Sequence, residues 1–100
     1  MTVSPEALAA AGRLLLGEEW KRPMARMLGP HHPDGPRDSI DPRVIFRWAA
    51  GPHEDQRKGR PIPAWVGPAL VRLLDEKADQ LARDADAARA LAARIQGEST

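Results

Sequence analysis

Cysteine is absent from the 100 residues, and so is tyrosine; one phenylalanine and three tryptophans make up the aromatic set. Without cysteine there is no disulfide and no thiolate zinc site, which fits a reducing cytoplasm. With so few aromatics, Trp20, Trp48 and Trp65 are the expected large core fillers. β-Branched residues are sparse beside alanine and leucine, so the chain favours helix over strand. No apolar run approaches the length a membrane span needs. The N-terminus lacks the basic stretch and apolar segment of a secretory signal. These absences leave a single small all-α domain, soluble and cytoplasmic, as the expectation.

Neither sign of charge dominates either. The formal net charge is +1, which by itself points to no polyanion. Its distribution is more informative. Residues 20–60 carry nine basic groups against five acidic ones, an excess of +4, whereas residues 63–100 carry five against six. The positive charge gathers in the middle of the chain, where a phosphate partner would be met.

Punctuation by proline and glycine divides that middle into helices. Ser4-Pro5-Glu6 reads as an N-cap with a first-turn proline, opening a helix whose apolar face is Leu8, Gly12, Leu15 and Leu16 and which Gly17 ends. Trp20 precedes a second helix and is expected to pack back onto the first. Arg22 to Gly29 reads as that second helix, with Pro23 at its first position and Gly29 as a left-handed stop. A third runs from Ile40-Asp41-Pro42 to Ala50-Gly51, with Asp41 as N-cap and Gly51 as the C-terminal glycine. Two short helices that cross closely need a small side chain at the crossing, which suits Ala25 facing Ile45. The segments between and after them, 30–39 and 52–60, are polar insertions; the first is rich in proline and is expected to form no hydrogen bonds of its own.

The pattern Met24-Ala25-x-x-Leu28-Gly29, then Ile40, then Ile45-x-x-Trp48-x-x-Gly51 resembles the lambda-repressor-like (Cro-type) helix-turn-helix family. Gly17-Glu18-Glu19-Trp20 through Trp48-Ala49-Ala50-Gly51, with Arg60-Pro61-Ile62-Pro63, is similar to small bacterial and phage proteins of that family. The resemblance spans roughly residues 12 to 74, interrupted by the two insertions, one at each end of the third helix. It implies a sequence-specific DNA-binding regulator, a repressor that reads the major groove with helix 41–50. In that geometry Ile45 and Trp48 face the core, while Arg43, Phe46 and Arg47 project outward with Asp41 at the leading end. Arginine can grip guanine through two parallel hydrogen bonds, and phenylalanine can pack on a thymine methyl. Phe46 has an alternative place, tucked into the core beside Leu28. Lys21, Arg22 and Arg26 lie where the preceding helix would cross the phosphate backbone, and Arg37 would add a loop contact.

Chemistry of other kinds finds little to work with. His31, His32, Asp34, His53, Glu54 and Asp55 offer nitrogen and oxygen donors. The two adjacent histidines nevertheless sit in a loop rather than four apart on a helix, so they read as solvated residues and not as a metal site. No Ser/His/Asp or Cys/His grouping and no glycine-rich phosphate loop is visible. The expectation is no enzyme, no catalytic residue, no cofactor and no small-molecule substrate.

Residues 71–100 extend the expected head, residues 1–70, with a long helix running from about Pro68 to Ile95. Val71, Leu74, Ala78, Leu81, Ala85, Ala88, Ala92 and Ile95 recur at alternating spacings of three and four, which is a heptad seam. It is expected to pair two copies as a homodimer, the arrangement that reading a palindromic site requires. Asp75, Glu76 and Asp79 alternate with Arg72, Lys77 and Arg83 as a salt-bridged surface. The rival expectation is a protein-interaction module, antitoxin-like or a phage-derived adaptor. Such a module keeps the helix-turn-helix fold, but its enlarged turn has left the DNA groove.

Overall fold

A computed structural model describes residues 3–50 and 62–98. Its elements are α1 (Pro5–Leu16), α2 (Lys21–Leu28), a 3-10 turn (Gly29–His31), α3 (Pro42–Ala50) and α4 (Val66–Glu98). Among the described residues there is no strand, so the all-α expectation holds. Gly51 and the insertion 52–60, with His53, Glu54 and Asp55, lie outside the described residues.

Each helix begins and ends for a local reason. Ser4 caps α1, its Oγ accepting from the Ala7 N–H at 3.1 Å, while Glu6 sits in the first turn where the helix dipole favours an anion. Gly17 closes the helix at φ 89°, and its N–H donates to the Arg13 carbonyl at 2.9 Å. Asp41 caps α3 as its sequence position implied: Oδ1 accepts from the Arg43 N–H at 3.0 Å. α2 starts at Lys21 rather than Arg22. Pro23 is therefore its third residue and not its first, still inside the turn whose N–H groups have no acceptor within the helix.

Gly29 corrects the sequence reading. It does not take the left-handed conformation; at φ −50°, ψ −49° it stays right-handed and the chain winds on into the 3-10 turn. The glycine is required by crowding. A Cβ there would stand 2.5 Å from the Arg37 carbonyl oxygen and 2.8 Å from the Ser39 nitrogen, because the returning loop crosses directly over it. The same loop is not without hydrogen bonds. The Gly29 carbonyl accepts from the N–H groups of His32 (3.2 Å) and Arg37 (3.0 Å), Gly35 N–H donates to the His32 carbonyl (3.1 Å), and Ile40 N–H donates to the Ala25 carbonyl (3.0 Å). The prolines at 30, 33 and 36 remove donors, yet enough non-proline residues remain between them to tie the segment to the end of α2.

The core is apolar throughout. Leu8, Met24, Leu28, Ile45 and Val66 are wholly buried, joined by Ala11, Trp20, Ala25, Ile40, Trp48, Ile62, Ala69 and Leu70. α2 packs on α3, and α1 touches α2, α3 and α4. Ala25 and Ile45 both lie fully inside, consistent with the close approach expected of them. Trp20 packs across α1 as expected, on Gly12: a Cβ at Gly12 would collide with the indole ring. Trp65 is less enclosed than the other two tryptophans and tilts its ring against His32, centroids 5.5 Å apart. His32 is thus not a solvated loop residue, its side chain being only 18% exposed.

α4 is longer than the sequence suggested at both ends, starting two residues before Pro68 and running to Glu98. Val66, Ala69 and Leu70 are buried and Leu73 and Leu74 half-buried against the bundle. From Asp75 to Glu98 every residue is exposed except Lys77. That stretch, 24 residues at a rise of 1.5 Å, projects roughly 36 Å beyond the core, and the molecule is correspondingly elongated at 67 × 30 × 23 Å.

Candidate nucleic-acid interface

The outward surface of α2 and α3 carries most of the residues singled out in the sequence. Lys21, Arg22 and Arg26 of α2 and Phe46 of α3 line one shallow depression of about 420 Å³, together with Glu18, Glu19, Trp20 and Pro23. Of the two places open to Phe46, it takes the outer one: it is 45% exposed, with the Lys21 Nζ 5.2 Å above its ring. A cation over an aromatic face is attracted by the ring quadrupole. Helical phase turns Phe46 outward, while Ile45 and Trp48 of the same helix point inward.

Arg43 and Arg47 are exposed on α3 one turn apart. Their situations differ. Arg43 is clamped by Asp41, whose Oδ2 accepts from Nε at 3.1 Å and from Nη2 at 2.9 Å, while Oδ1 accepts from Nε at 3.2 Å. Those side-chain bonds, then the Arg43 backbone N–H, hold the Asp41 carboxyl below its ordinary value, and the charges of Arg43 and Arg47 add to the effect. The same pairing raises the Arg43 guanidinium. Arg47 makes no hydrogen bond or ion pair among the described residues. Arg37 is exposed in the loop and does not line the depression.

The geometry therefore brings together Lys21, Arg22, Arg26 and Phe46, sets Arg43 and Arg47 on the adjoining helix, and leaves Arg37 apart. It also adds two residues with no place in the sequence reading of the site. Glu18 and Glu19 rim the depression, and their position immediately before Trp20 and α2 was the available signal. The seam of α4 lies open. Leu74 is half-buried, Leu81 is 48% and Ile95 53% exposed, and Ala78, Ala85, Ala88 and Ala92 are exposed. No helix among the described residues is long and apolar enough to cross a membrane. No protein-family model, curated protein or solved structure matches this chain.

Proposed function

We propose that this protein is a sequence-specific DNA-binding regulator of transcription, acting as a repressor, with α2 and α3 as its helix-turn-helix. The observation that carries the reading is the joint outward face of α2 and α3. Lys21, Arg22 and Arg26 line one depression with a half-exposed Phe46, and Arg43 and Arg47 are exposed on the adjoining helix. In such a unit the first helix crosses the phosphates and the second enters the major groove. Lys21, Arg22 and Arg26 then meet the backbone, Arg47 and Arg43 reach base edges, Phe46 packs on a thymine methyl, and Arg37 serves as a peripheral phosphate contact. Two copies joined through α4 would read a palindrome, because one short helix contacts too few base pairs to select a genomic site.

The test is a binding titration over a range of salt, first with mixed genomic fragments and then with the sequence they select. Arg47→Ala should lose about 1–3 kcal/mol at one base position, whereas Lys21→Ala should weaken binding to every sequence and flatten the salt dependence. Equal affinity of wild type and Arg47→Ala for the selected site would remove direct readout by α3. Glu18 and Glu19 at the rim and the clamp on Arg43 are the observations that favour the rival, a protein-interaction module on the same fold. It becomes the better reading if no fragment binds at moderate salt.

A further inference from the structure

The first turns of α4 and the outer side of α1 enclose an open apolar groove of about 980 Å³. Val3, Ala7 and Ala11 form one wall and Leu70, Val71 and Leu74 the other, with Asp75, Glu76 and Asp79 along its edge. Val71 and Leu74 belong to the heptad seam as well, so groove and seam are one continuous surface. We propose that this groove takes the last turns of α4 from a second copy of this chain, the two α4 helices running antiparallel about a two-fold axis near residue 83. This rests on the pairing of copies through α4 proposed above and supplies its direction and its second half.

Three observations fix the occupant. The seam is symmetric in spacing: about residue 83, Val71 is set against Ile95, Leu74 against Ala92, Ala78 against Ala88 and Leu81 against Ala85. Antiparallel pairing therefore sets Leu74 and Leu81 each against an alanine, and places the Val71–Ile95 and Ala78–Ala88 pairs alike on both sides of the axis, so that wide and narrow contacts fall evenly about its centre. Parallel pairing would match Leu74 and Leu81 with themselves and the three successive alanines 85, 88 and 92 with themselves, asking for an uneven helix separation along the seam. The second observation is Leu91, 54% exposed and one step off the seam, with Ile95 four residues on. An i, i+4 pair of large apolar residues is the kind of anchor a helix presents to a groove. In the register about residue 83, residues 87–98 of one copy lie along residues 68–79 of the other, the stretch of α4 that walls the groove. Thirdly, the charges agree. Asp75, Glu76 and Asp79 outnumber Arg72 in the groove lining, residues 87–98 carry Arg89 and Arg94 against Glu98, and the register sets Asp75 beside Arg89 of the second copy on both sides of the axis.

The absence of cysteine makes the direction directly testable in the full-length chain. Sedimentation at tens of micromolar should show a dimer. Ala7→Arg, on α1 and away from the seam, should weaken it at least tenfold, as should Leu91→Lys on the exposed end of α4, where the head's folding is untouched. A single Ala82→Cys should form a disulfide between copies on mild oxidation. Ala92→Cys should not, its two copies lying roughly 27 Å apart along the axis for 18 residues of helix. A dimer indifferent to Ala7→Arg that cross-links through Ala92→Cys would overturn the groove and leave a parallel seam standing. A wild-type monomer at that concentration would overturn both. Loss of DNA binding alone, with dimer and cross-links intact, would strike only the DNA-binding proposal.

Discussion

The helices of the head (α1, α2, α3 and the first turns of α4) and residues 75–98 of α4 are helical for different reasons. In the head, helices of eight to twelve residues are too short to persist alone in water. They exist because each buries a face: Leu8 and Ala11 of α1, Met24, Ala25 and Leu28 of α2, Ile45 and Trp48 of α3. In the projecting half of α4 almost nothing is buried, and the helix rests on alanine-rich propensity and on surface pairs. Arg94 to Glu98 at 3.1 Å and Gln80 to Asp84 at 2.8 Å are of that kind. Exposed pairs of this sort contribute little each. A helix that buries almost nothing, yet keeps a regular apolar seam, is what the proposed pairing of two copies through α4 would account for.

That contrast breaks most sharply at Ile45. It is wholly buried between helices, so Ile45→Ala should cost about 2–5 kcal/mol, read as a lower midpoint of the urea transition. A tail change such as Ala82→Gly should cost about 1 kcal/mol of helix propensity. It should show chiefly as lost helical circular dichroism, leaving the head's cooperative transition in place. Equal shifts of that transition for both variants would mean that head and tail fold as one unit.

Next in size are the two glycines that permit close approach. Gly12 accepts the Trp20 ring on its Cα, and Gly29 lies under the backbone of Arg37 and Ser39. Adding a methyl group to a packed contact costs about 1–3 kcal/mol. Gly12→Ala should reach the upper part of that range even though alanine is the better helix former. At Gly29 the obstacle is backbone, which cannot swing aside, so Gly29→Ala should also release the loop. Faster amide exchange at Arg37 and Ile40, whose N–H groups bond across this crossing, is the measurement that separates it from a simple loss of helix.

These same positions show where the sequence was legible. The caps at Ser4 and Asp41, the stop at Gly17 and the inward faces of α1 to α3 follow from residue type and a period of 3.6, both local properties. Gly29 looked like a left-handed stop because its purpose, a crossing by residues eight to ten positions later, is not local. The proline-rich loop looked bare for the same reason: its hydrogen bonds go to Gly29 and Ala25, and His32 finds Trp65. In the site, exposure of Arg43 and Arg47 could be read from helical phase. The clamp on Arg43 depends on the rotamer of an exposed arginine near a cap, and the entry of Glu18 and Glu19 on how the α1–α2 turn folds.

The smallest effect tests that clamp. Asparagine caps a helix as well as aspartate does, so Asp41→Asn should leave α3 and the head intact while removing the charge that holds Arg43. If Arg43 reaches DNA, freeing it should raise affinity for any sequence severalfold and steepen the salt dependence by about one phosphate contact. Unchanged binding would restrict Arg43 to bracing the cap. Acid titration supplies the control. The folded carboxyl of Asp41 is lowered from its ordinary 3.8, so its contribution is complete above that pH and fades as pH falls through the lowered folded value. A side-chain carboxyl resonance titrating below 3.8, with no counterpart in Asp41→Asn, would show the clamp closed in solution. A midpoint at the ordinary value would show Arg43 already free, and the substitution should then leave DNA affinity where it was.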